Sequence, residues 1–445
     1  MLKPFIFLPF LAIAVVSAGN DWATPCFGGT CRYNQQSSGS STLWTSLVIN
    51  GSPAAISDIT PAAGWTIVGC SPDSETQDIR LVCTGNPQDC AHLDKNGAVG
   101  TIVRLPEDCG PMPFARVANK WLSQDQTVPS SITAKFRGKS FTVHELALDT
   151  DFSSVDPSQN GEVTLYIQGS SASGNQVDFN TTTVTDGDIQ ARGLGDWIKE
   201  VLSGFAFNYT RSNTLPPISV QKAFTPFDQS ISCPNFTAEV RIDVSASAVA
   251  EISYGIAAVG KLIPPELTEF GIFAGLDAEL DGNLKLASTA TALIDTGVVT
   301  VFQQGIPGLD IPGILSIGPV FKVNVEANGT ADANVDLDVD LSYTVSNAKI
   351  FFPPQHGSSS GGFTPADTNL KLSVAPNASL QGAIEGHVIP TIEFGLSALG
   401  GIAKASIDLN LDTSANLDLS LQATSNSFAG CIDLSGGLAT SSFSR

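Results

Sequence analysis

The residues in this sequence most able to do chemistry are carboxylates, serines and histidines in short motifs. In Ala292-Leu293-Ile294-Asp295-Thr296-Gly297 two apolar residues precede Asp-Thr-Gly, the setting for acid hydrolysis by two carboxylates that share one proton. No second Asp-Thr-Gly or Asp-Ser-Gly occurs, so Asp295 would need a second copy of the chain to complete the pair. The same triplet also makes a good turn, because Asp bonds its own backbone and Gly accepts positive φ. Gly357-Ser358-Ser359-Ser360-Gly361 fits the Gly-x-Ser-x-Gly pattern of a serine nucleophile, with His356 and His387 as candidate bases. A working elbow joins a buried strand to a helix, whereas this segment lies in a Ser/Gly-rich stretch between Pro353-Pro354 and Pro365, and it reads as a loop.

Metal and nucleotide chemistry find less support. His92, His144, His356 and His387 are scattered, and neither His-Glu-x-x-His nor paired Cys-x-x-Cys spacing is present, so no zinc or other cofactor is expected. Asp336, Asp338 and Asp340 alternate on one strand face about 6.8 Å apart, too far to converge on an ion held at about 2.4 Å. Asp277-x-Glu279-x-Asp281-Gly282 opens like a calcium loop but has Ser288 where a bidentate Glu is required. Gly138-Lys139-Ser140 lacks the glycine of a phosphate loop, since Thr133 stands there. Trp22, Trp44, Trp65 and Trp121 offer faces on which sugar rings stack, although large aromatics more often fill cores.

The elements that must position these residues read as strands. From Phe321 to Val345 every odd position is apolar or small and every even one polar, the period of a strand with one buried face. A single strand of that length would reach roughly 80 Å, so a hairpin turning at Asn328-Gly329 is the expectation, with an odd-numbered loop to keep the faces in phase. Similar tracts run over 236–254, 276–294, 370–388 and 407–421. Ile263 to Gly271 and Ile389 to Gly395 read as matching connectors, and Gly305 to Leu315 is unusually apolar for a loop; such segments either plug the ends of the β-structure or form a contact surface. Small residues at Ala246, Ala248 and Ala250 and at Ala327, Gly329, Ala331 and Ala333 mark hairpin tips, a thin core or a lumen.

Earlier in the chain the apolar runs are short: Leu43 to Ile49, Trp65 to Cys70, Ile79 to Cys83, Ala98 to Leu105, Ile132 to Phe136 and Val163 to Gln168. Leu194, Trp197, Ile198, Val201, Leu202 and Phe205 recur at helical spacing. That helix reads as a connector packing on a neighbour; a docking or membrane-active helix released by a cut after Arg192 is the alternative. The fold expected is all-β: a disulfide-stapled N-terminal β-domain plus a C-terminal antiparallel β-sandwich or barrel of long amphipathic hairpins, with one short linking helix. The divisions are 1–18, a signal peptide, 19–190, 191–207 for the helix, and 208–445.

Compartment follows from the ends and the cysteines. Lys3, the apolar run Phe5 to Val16 and Val16-Ser17-Ala18 have the form of a cleaved signal peptide, and no later run is expected to cross a membrane as a helix. Eight cysteines favour disulfides over metal. Cys26, Cys31, Cys70, Cys83, Cys90 and Cys109 are expected to pair among themselves, which leaves Cys233 to join Cys431. Acceptor sequons begin at Asn50, Asn180, Asn208, Asn235, Asn328 and Asn377. The formal charge of −21 and a pI near 4.4 disfavour nucleic acid and anionic membranes as partners.

Four stretches together, Ala55 to Trp65, Gln77 to Cys83, Gly100 to Glu107 and Gly305 to Asp310, resemble a family of secreted proteins of mushroom-forming fungi whose function is unknown. The resemblance covers nearly the whole mature chain; it implies a fungal, extracellular origin and supplies neither catalytic residues nor a ligand. The function expected is that of a secreted, non-enzymatic glycoprotein that binds cell-wall glycan or serves structurally. The alternatives are a carrier of lipid or another apolar small molecule, a membrane-inserting protein, and a hydrolase of aspartic or other carboxylate type.

Overall fold

The computed structural model describes residues 20–36, 43–136, 140–171, 194–208, 215–233, 236–288, 292–311, 314–331, 335–365, 369–374, 379–401, 403–424 and 427–444. The signal peptide, the site after Arg192 and the sequons at Asn180, Asn235 and Asn377 lie outside them. So do the side chains of Cys233 and Cys431, and with them that pairing.

Before the long helix come β1 (Thr30–Gln36), β2 (Trp44–Gly51), β3 (Ile56–Asp58), β4 (Trp65–Ile67), β5 (Gln77–Cys83), β6 (Ile102–Arg104), β7 (Phe114–Leu122), β8 (Val143–Asp149) and β9 (Val163–Ser170). After it come β10 (Ile218–Cys233), β11 (Phe236–Ile263), β12 (Glu266–Ser288), β13 (Ala292–Asp295), β14 (Val299–Gly305), β15 (Leu309–Ile311), β16 (Leu315–Ala331) and β17 (Val335–Phe352). The last five are β18 (Ser360–Pro365), β19 (Asn369–Val374), β20 (Ser379–Ala398), β21 (Ala403–Thr424) and β22 (Ser427–Ser444).

They form three sheets. The first runs β1-β2-β9-β11-β12-β17-β18, with β10 on β11 and β19 on β17; the second runs β13-β16-β20-β21-β22, with β14 and β15 on β16; the third is β3-β6-β7-β8-β5-β4. The first two face each other across the main core. Tyr254 of β11 meets Phe394 of β20 edge to face at 5.5 Å, and Phe321, Phe394 and Leu409 are fully buried. The long antiparallel strands thus build a sandwich of two separately hydrogen-bonded sheets. Disulfides Cys26–Cys31, Cys70–Cys109 and Cys83–Cys90 staple the N-terminal part. Among the described residues no helix is long and apolar enough to cross a membrane.

The first sheet is built from both sides of the linking helix. β9 pairs with β2 along one edge and with the last turn-side residues of β11 along the other, from Gly255↔Ser170 to Ile263↔Val163. At that end β11 and β12 meet in a hairpin at Pro264-Pro265, and the apolar segment after β14 closes the core, with Leu309, Ile311, Ile314 and Leu315 all buried. Of the three apolar segments, only this one plugs the sandwich; in the Ile263 to Gly271 hairpin Pro264, Glu266 and Thr268 are exposed.

Three expectations are corrected. The tract from Phe321 to Val345 does not turn at Asn328-Gly329: β16 continues through both, where Asn328 pairs with Glu385 and Asp295 and Gly329 with Ile384 and Ile294. β17 then enters the facing sheet and pairs with β12, and the parity is the same on both sides of the crossing where it is described, with Phe321 and Val323 buried before it and Val345 after it. Second, Ile389 to Gly395 lies within β20, the turn coming at Leu399–Gly401. Pro390 is tolerated because the ladder to β21 skips from Val388↔Thr413 to Thr391↔Asn410, so no bond is asked of its missing N–H. Third, Ile132 to Phe136 is not a strand: Pro129 precedes a helix over Ser130–Lys135, and Ile132 packs with Val128 and Phe141 against Val68, Val82 and Val143.

The helix Leu194–Asn208 lies on the outer face of the first sheet. Its Ile198, Val201, Leu202 and Phe205 are buried against Trp44, Tyr166, Phe273 and Phe351. The strands make room with glycine: a Cβ on Gly255 would sit 2.3 Å from Phe205 Cδ2, and one on Gly271 would sit 2.6 Å from Leu202 Cδ1. Lys349 Nζ donates to the Ala206 carbonyl at 2.6 Å near the helix C-terminus, where a cation is favoured. This is the packed connector. Gly255→Ala should push Phe205 off its bed and cost about 1–3 kcal/mol in denaturant unfolding, whereas Gly297→Ala, whose Cβ meets nothing within 4 Å, should show only the strain of its positive φ.

Candidate functional site

Cross-strand register assigns each residue of the third sheet to a face. Asp78, Arg80 and Val82 of β5 share one face with Ala147, Glu145 and Val143 of β8, and Asn119 and Trp121 of β7 join them. At the β3–β6 end this face is covered, since Ile56, Ile102 and Phe114 belong to the main core. At the β7–β8–β5 end Val82 and Val143 are covered by Val128, Ile132 and Phe141, and the face is open beyond them, where Asp78 and Asn119 are exposed and Arg80, Trp121, Glu145 and Ala147 are half-buried. The opposite face packs Ile79, Leu81, Leu146 and Leu148 over the disulfide-stapled turns.

Two rows cross the open part. One is Trp121, Glu145 and Arg80, which spans about 10 Å over three strands at about 4.8 Å spacing; the other is Asn119, Ala147 and Asp78. Trp121 Nε1 donates to Glu145 Oε2 at 2.9 Å, which satisfies the polar edge of the indole and fixes the ring beside its neighbours. Ala147 leaves a flat floor in the middle of the second row. Arg80 is held at the far end by the carboxylate of Asp125 and the carbonyls of Asp125 and Thr127. Hydrogen bonds from Thr127, first its hydroxyl and then its backbone N–H, lower the Asp125 pKa below the ordinary carboxylate value, with Arg80 adding to the effect.

The loop that carries Asp125 is itself pinned by Gln126. Its Nε2 donates to the carbonyls of Ser123 and Val143 at 2.7 and 2.9 Å, and its Oε1 accepts from Val143 N at 3.0 Å. The face thus presents one flat aromatic ring framed by an amide, a guanidinium and carboxylates. Such a surface suits a polyhydroxylated ligand, which needs donors and acceptors around an apolar ring face.

The other tryptophans are used in packing. Trp44 and Trp65 are 6% and 3% exposed, and Trp197 of the helix stands edge-on to Tyr166 at 5.8 Å. Trp22 lies against Tyr33 and under the Arg104 guanidinium, 5.3 Å from its ring centre. That guanidinium is the hub of a buried clamp. Arg104 Nη2 lies 2.6 Å from Asp58 Oδ2, and its two Nη atoms donate to the carbonyls of Asp21 and Thr24 at 2.9 and 2.7 Å. Asp58, fully buried, also accepts from the backbone N–H groups of Cys26 and Thr60.

The remaining candidates are dispersed. Asp295 Oδ1 accepts from Gly297 N at 3.0 Å, and Thr296 Oγ1 accepts from Ala327 N at 2.9 Å, so Asp-Thr-Gly forms a turn joined to β16. Ser358, Ser359 and Ser360 are exposed on the way into β18. Asp277, Glu279 and Asp281 lie along β12, not in a loop; Asp277 accepts from Asn347 N and Asp281 from Ser342 Oγ. Asp336, Asp338 and Asp340 stand opposite Ala287, Lys285 and Asn283. Among the described residues no three His, Cys, Asp or Glu side chains gather as a metal site. Asn50 accepts from Thr30 Oγ1, Asn208 ends the helix, and Asn328 donates to Glu326 within β16, not at a hairpin tip.

The histidines also separate. His92 is stacked on Phe27 and bonded to Ser57 Oγ and the Phe27 carbonyl, and His387 Nδ1 lies 2.8 Å from Asp412 Oδ1. His356 is 2% exposed beneath the linking helix, its Nε2 3.4 Å from Glu269 Oε1 without hydrogen-bond geometry. Burial holds its pKa below the ordinary value; Glu269 opposes this and Lys199 adds to it.

Two outcomes follow. Arg104→Leu removes the guanidinium that pairs with buried Asp58 and should cost about 3–5 kcal/mol in denaturant unfolding. For His356 the folded state prefers the neutral ring, so the unfolded chain binds more protons as pH falls through about 6.5, and stability drops there. His356→Gln should therefore lose less stability than the native chain between pH 7.5 and about pH 5, measured as the difference between their unfolding free energies. No family model matches this chain, and neither does any curated protein or solved structure.

Proposed function

We propose that the protein is a secreted, non-enzymatic glycan-binding protein that holds polysaccharide on the Trp121 face while the long sandwich serves as a rigid arm. One observation carries this reading: Trp121 alone among the tryptophans stands on an open sheet face, with its N–H bonded by Glu145 and with Arg80, Asn119 and Asp78 around it. The row is long enough to underlie two linked pyranose rings, one on the indole and the next over Glu145 and Arg80. Three disulfides and the signal-like N-terminus support an oxidising, extracellular destination.

A second reading, carriage of an apolar ligand, is favoured by the middle of the sandwich. Inward positions Val325, Ala327 and Val388 are only half-buried there, and a Cβ on Gly386 would meet nothing within 4 Å. Nearer the plugged end the cleft between Leu165, Ala258, Leu315 and Leu399 leaves only about 10 Å³, the room of one water. Native mass spectrometry of the secreted protein separates the two readings, because a discrete extra mass in the lipid range supports carriage.

For the glycan reading, the test is depletion of the protein from solution by insoluble β-glucan, chitin and cellulose. Trp121→Ala should weaken retention about tenfold, the loss of roughly 1.4 kcal/mol of stacking, and Glu145→Gln should weaken it less. Retention of Trp121→Ala equal to that of the native chain on every polymer overturns the reading.

A further inference from the structure

The charges on the Trp121 face are unevenly committed. Arg80, directly opposite Glu145 in register, turns its Nη1 away to the Asp125 carboxylate and the Thr127 carbonyl. In the row beyond Asn119 and Ala147, Arg116 stands opposite Asp149 and grips it through Nε and Nη2 at 2.7 and 2.5 Å, with Asp151 a further 4.0 Å from Nη2. Both guanidiniums of this face therefore have carboxylate partners already. An anionic ligand would have to break an existing ion pair to reach either one.

Two carboxylates are left over. Asp78 is exposed, and among the described residues its side chain has neither an ion pair nor a hydrogen bond. Glu145 is bonded through Oε2 by the indole N–H of Trp121, a neutral donor that leaves its charge uncompensated. Asp78 stands opposite Ala147, so the two carboxylates are diagonal neighbours about 7–8 Å apart beside the Ala147 floor. The indole ring and the two unpaired charges thus share one open surface.

We propose that the Trp121 face takes an amine-bearing polysaccharide, a polymer of amino sugars that lays one ring on the indole and sets its protonated amines against Glu145 and Asp78. The proposal rests on the glycan reading above and adds a charge to the ligand. An equatorial amine projects from the edge of a pyranose ring, so a ring stacked on Trp121 directs its ammonium sideways, toward Glu145 in the same row and Asp78 in the next. An ammonium offers three donors and no acceptor, the complement of two carboxylates without cations, and charge-assisted bonds of this kind are about twice as strong as neutral ones. The same polymer with its amines acetylated keeps the ring face and loses the charge. At longer range the formal charge of −21 acts in the same direction, drawing a polycation and repelling acidic polysaccharides.

The test is retention of the full chain by two insoluble polymers of one backbone, deacetylated chitin and the same material re-acetylated, at one mildly acidic pH and low salt. The deacetylated polymer should hold the native chain about tenfold more tightly, as two exposed ion pairs together would, and the excess should fade as salt is added. Asp78→Asn with Glu145→Gln should remove the excess, while retention by the acetylated polymer falls far less because glutamine still accepts from the Trp121 N–H. Glu279→Gln with Asp281→Asn takes the same two charges from β12 and should leave the excess in place. Equal retention by both polymers, weakened alike by Trp121→Ala, overturns the proposal and leaves the glycan reading standing. Retention by neither polymer also overturns it, and the glycan reading then stands or falls on β-glucan and cellulose. An excess that the Glu279 and Asp281 changes remove as fully, or that polylysine competes away and Trp121→Ala leaves intact, marks attraction of any polycation by net charge and overturns the proposal as well.

Discussion

The structure depends on keeping two long apolar sheet faces out of water at once. Each of the long strands is amphipathic with period two, and neither sheet can be stable unless the other covers it. Burial of Phe321, Phe394, Tyr254 and Leu409 between the sheets meets that requirement, and the Tyr254 hydroxyl, which must find a partner once buried, donates to the Pro307 carbonyl at 2.6 Å. Burial pushes the phenol pKa far up, so the ring stays neutral and the bond keeps its donor. The same segment that supplies Pro307 supplies the plug, Leu309 to Leu315. Closing the end of the core and satisfying its largest buried polar side chain are thus one event.

Much of this fold is legible in the sequence because period two is a local signal. The alternation in 236–294, 321–345 and 370–421 identifies strands with one apolar face each and leaves a sandwich and a barrel equally open, and the helical spacing of Leu194 to Phe205 identifies the linking helix. What alternation does not carry is partnership. A tract whose odd residues stay inward reads the same whether it folds back as a hairpin or crosses to the facing sheet, and that is why Asn328-Gly329 looked like a turn. Pro390 misled for a related reason: proline normally ends a strand, but a ladder that skips two residues tolerates it in the interior.

The candidate face is far less legible. Its residues come from three strands separated by some tens of residues, and two of those strands, β7 and β8, give weak patterns. In β7 a register shift between Val117 and Asn119 moves Trp121 out of phase with Phe114, so no single alternation describes the strand. β8 alternates Leu146 and Leu148 with Glu145 and Ala147, a signal that was available but short. The tryptophans were visible by type, yet only burial distinguishes Trp121 from Trp44 and Trp65. Nor does sequence show that Arg80 is held by Asp125, or that the bonds of Gln126 place the loop that holds it.

The position of this face within the fold has its own physical logic. A sheet whose face is partly open to solvent buries less apolar area there and depends on its other face and its covered ends to hold it together. Here that deficit is offset on three sides. The opposite face packs Ile79, Leu81 and Leu146 over two disulfides, the β3–β6 end contributes Ile56, Ile102 and Phe114 to the main core, and the Arg104–Asp58 clamp ties the N-terminal segment across that end. β9 then links this region to the sandwich by pairing with β2 and β11 together. An open face supported in this way is ordered before anything touches it. Under the glycan reading proposed above, affinity is set by contacts at the surface, and little binding energy is spent on fixing side chains that Glu145 and Asp125 already hold.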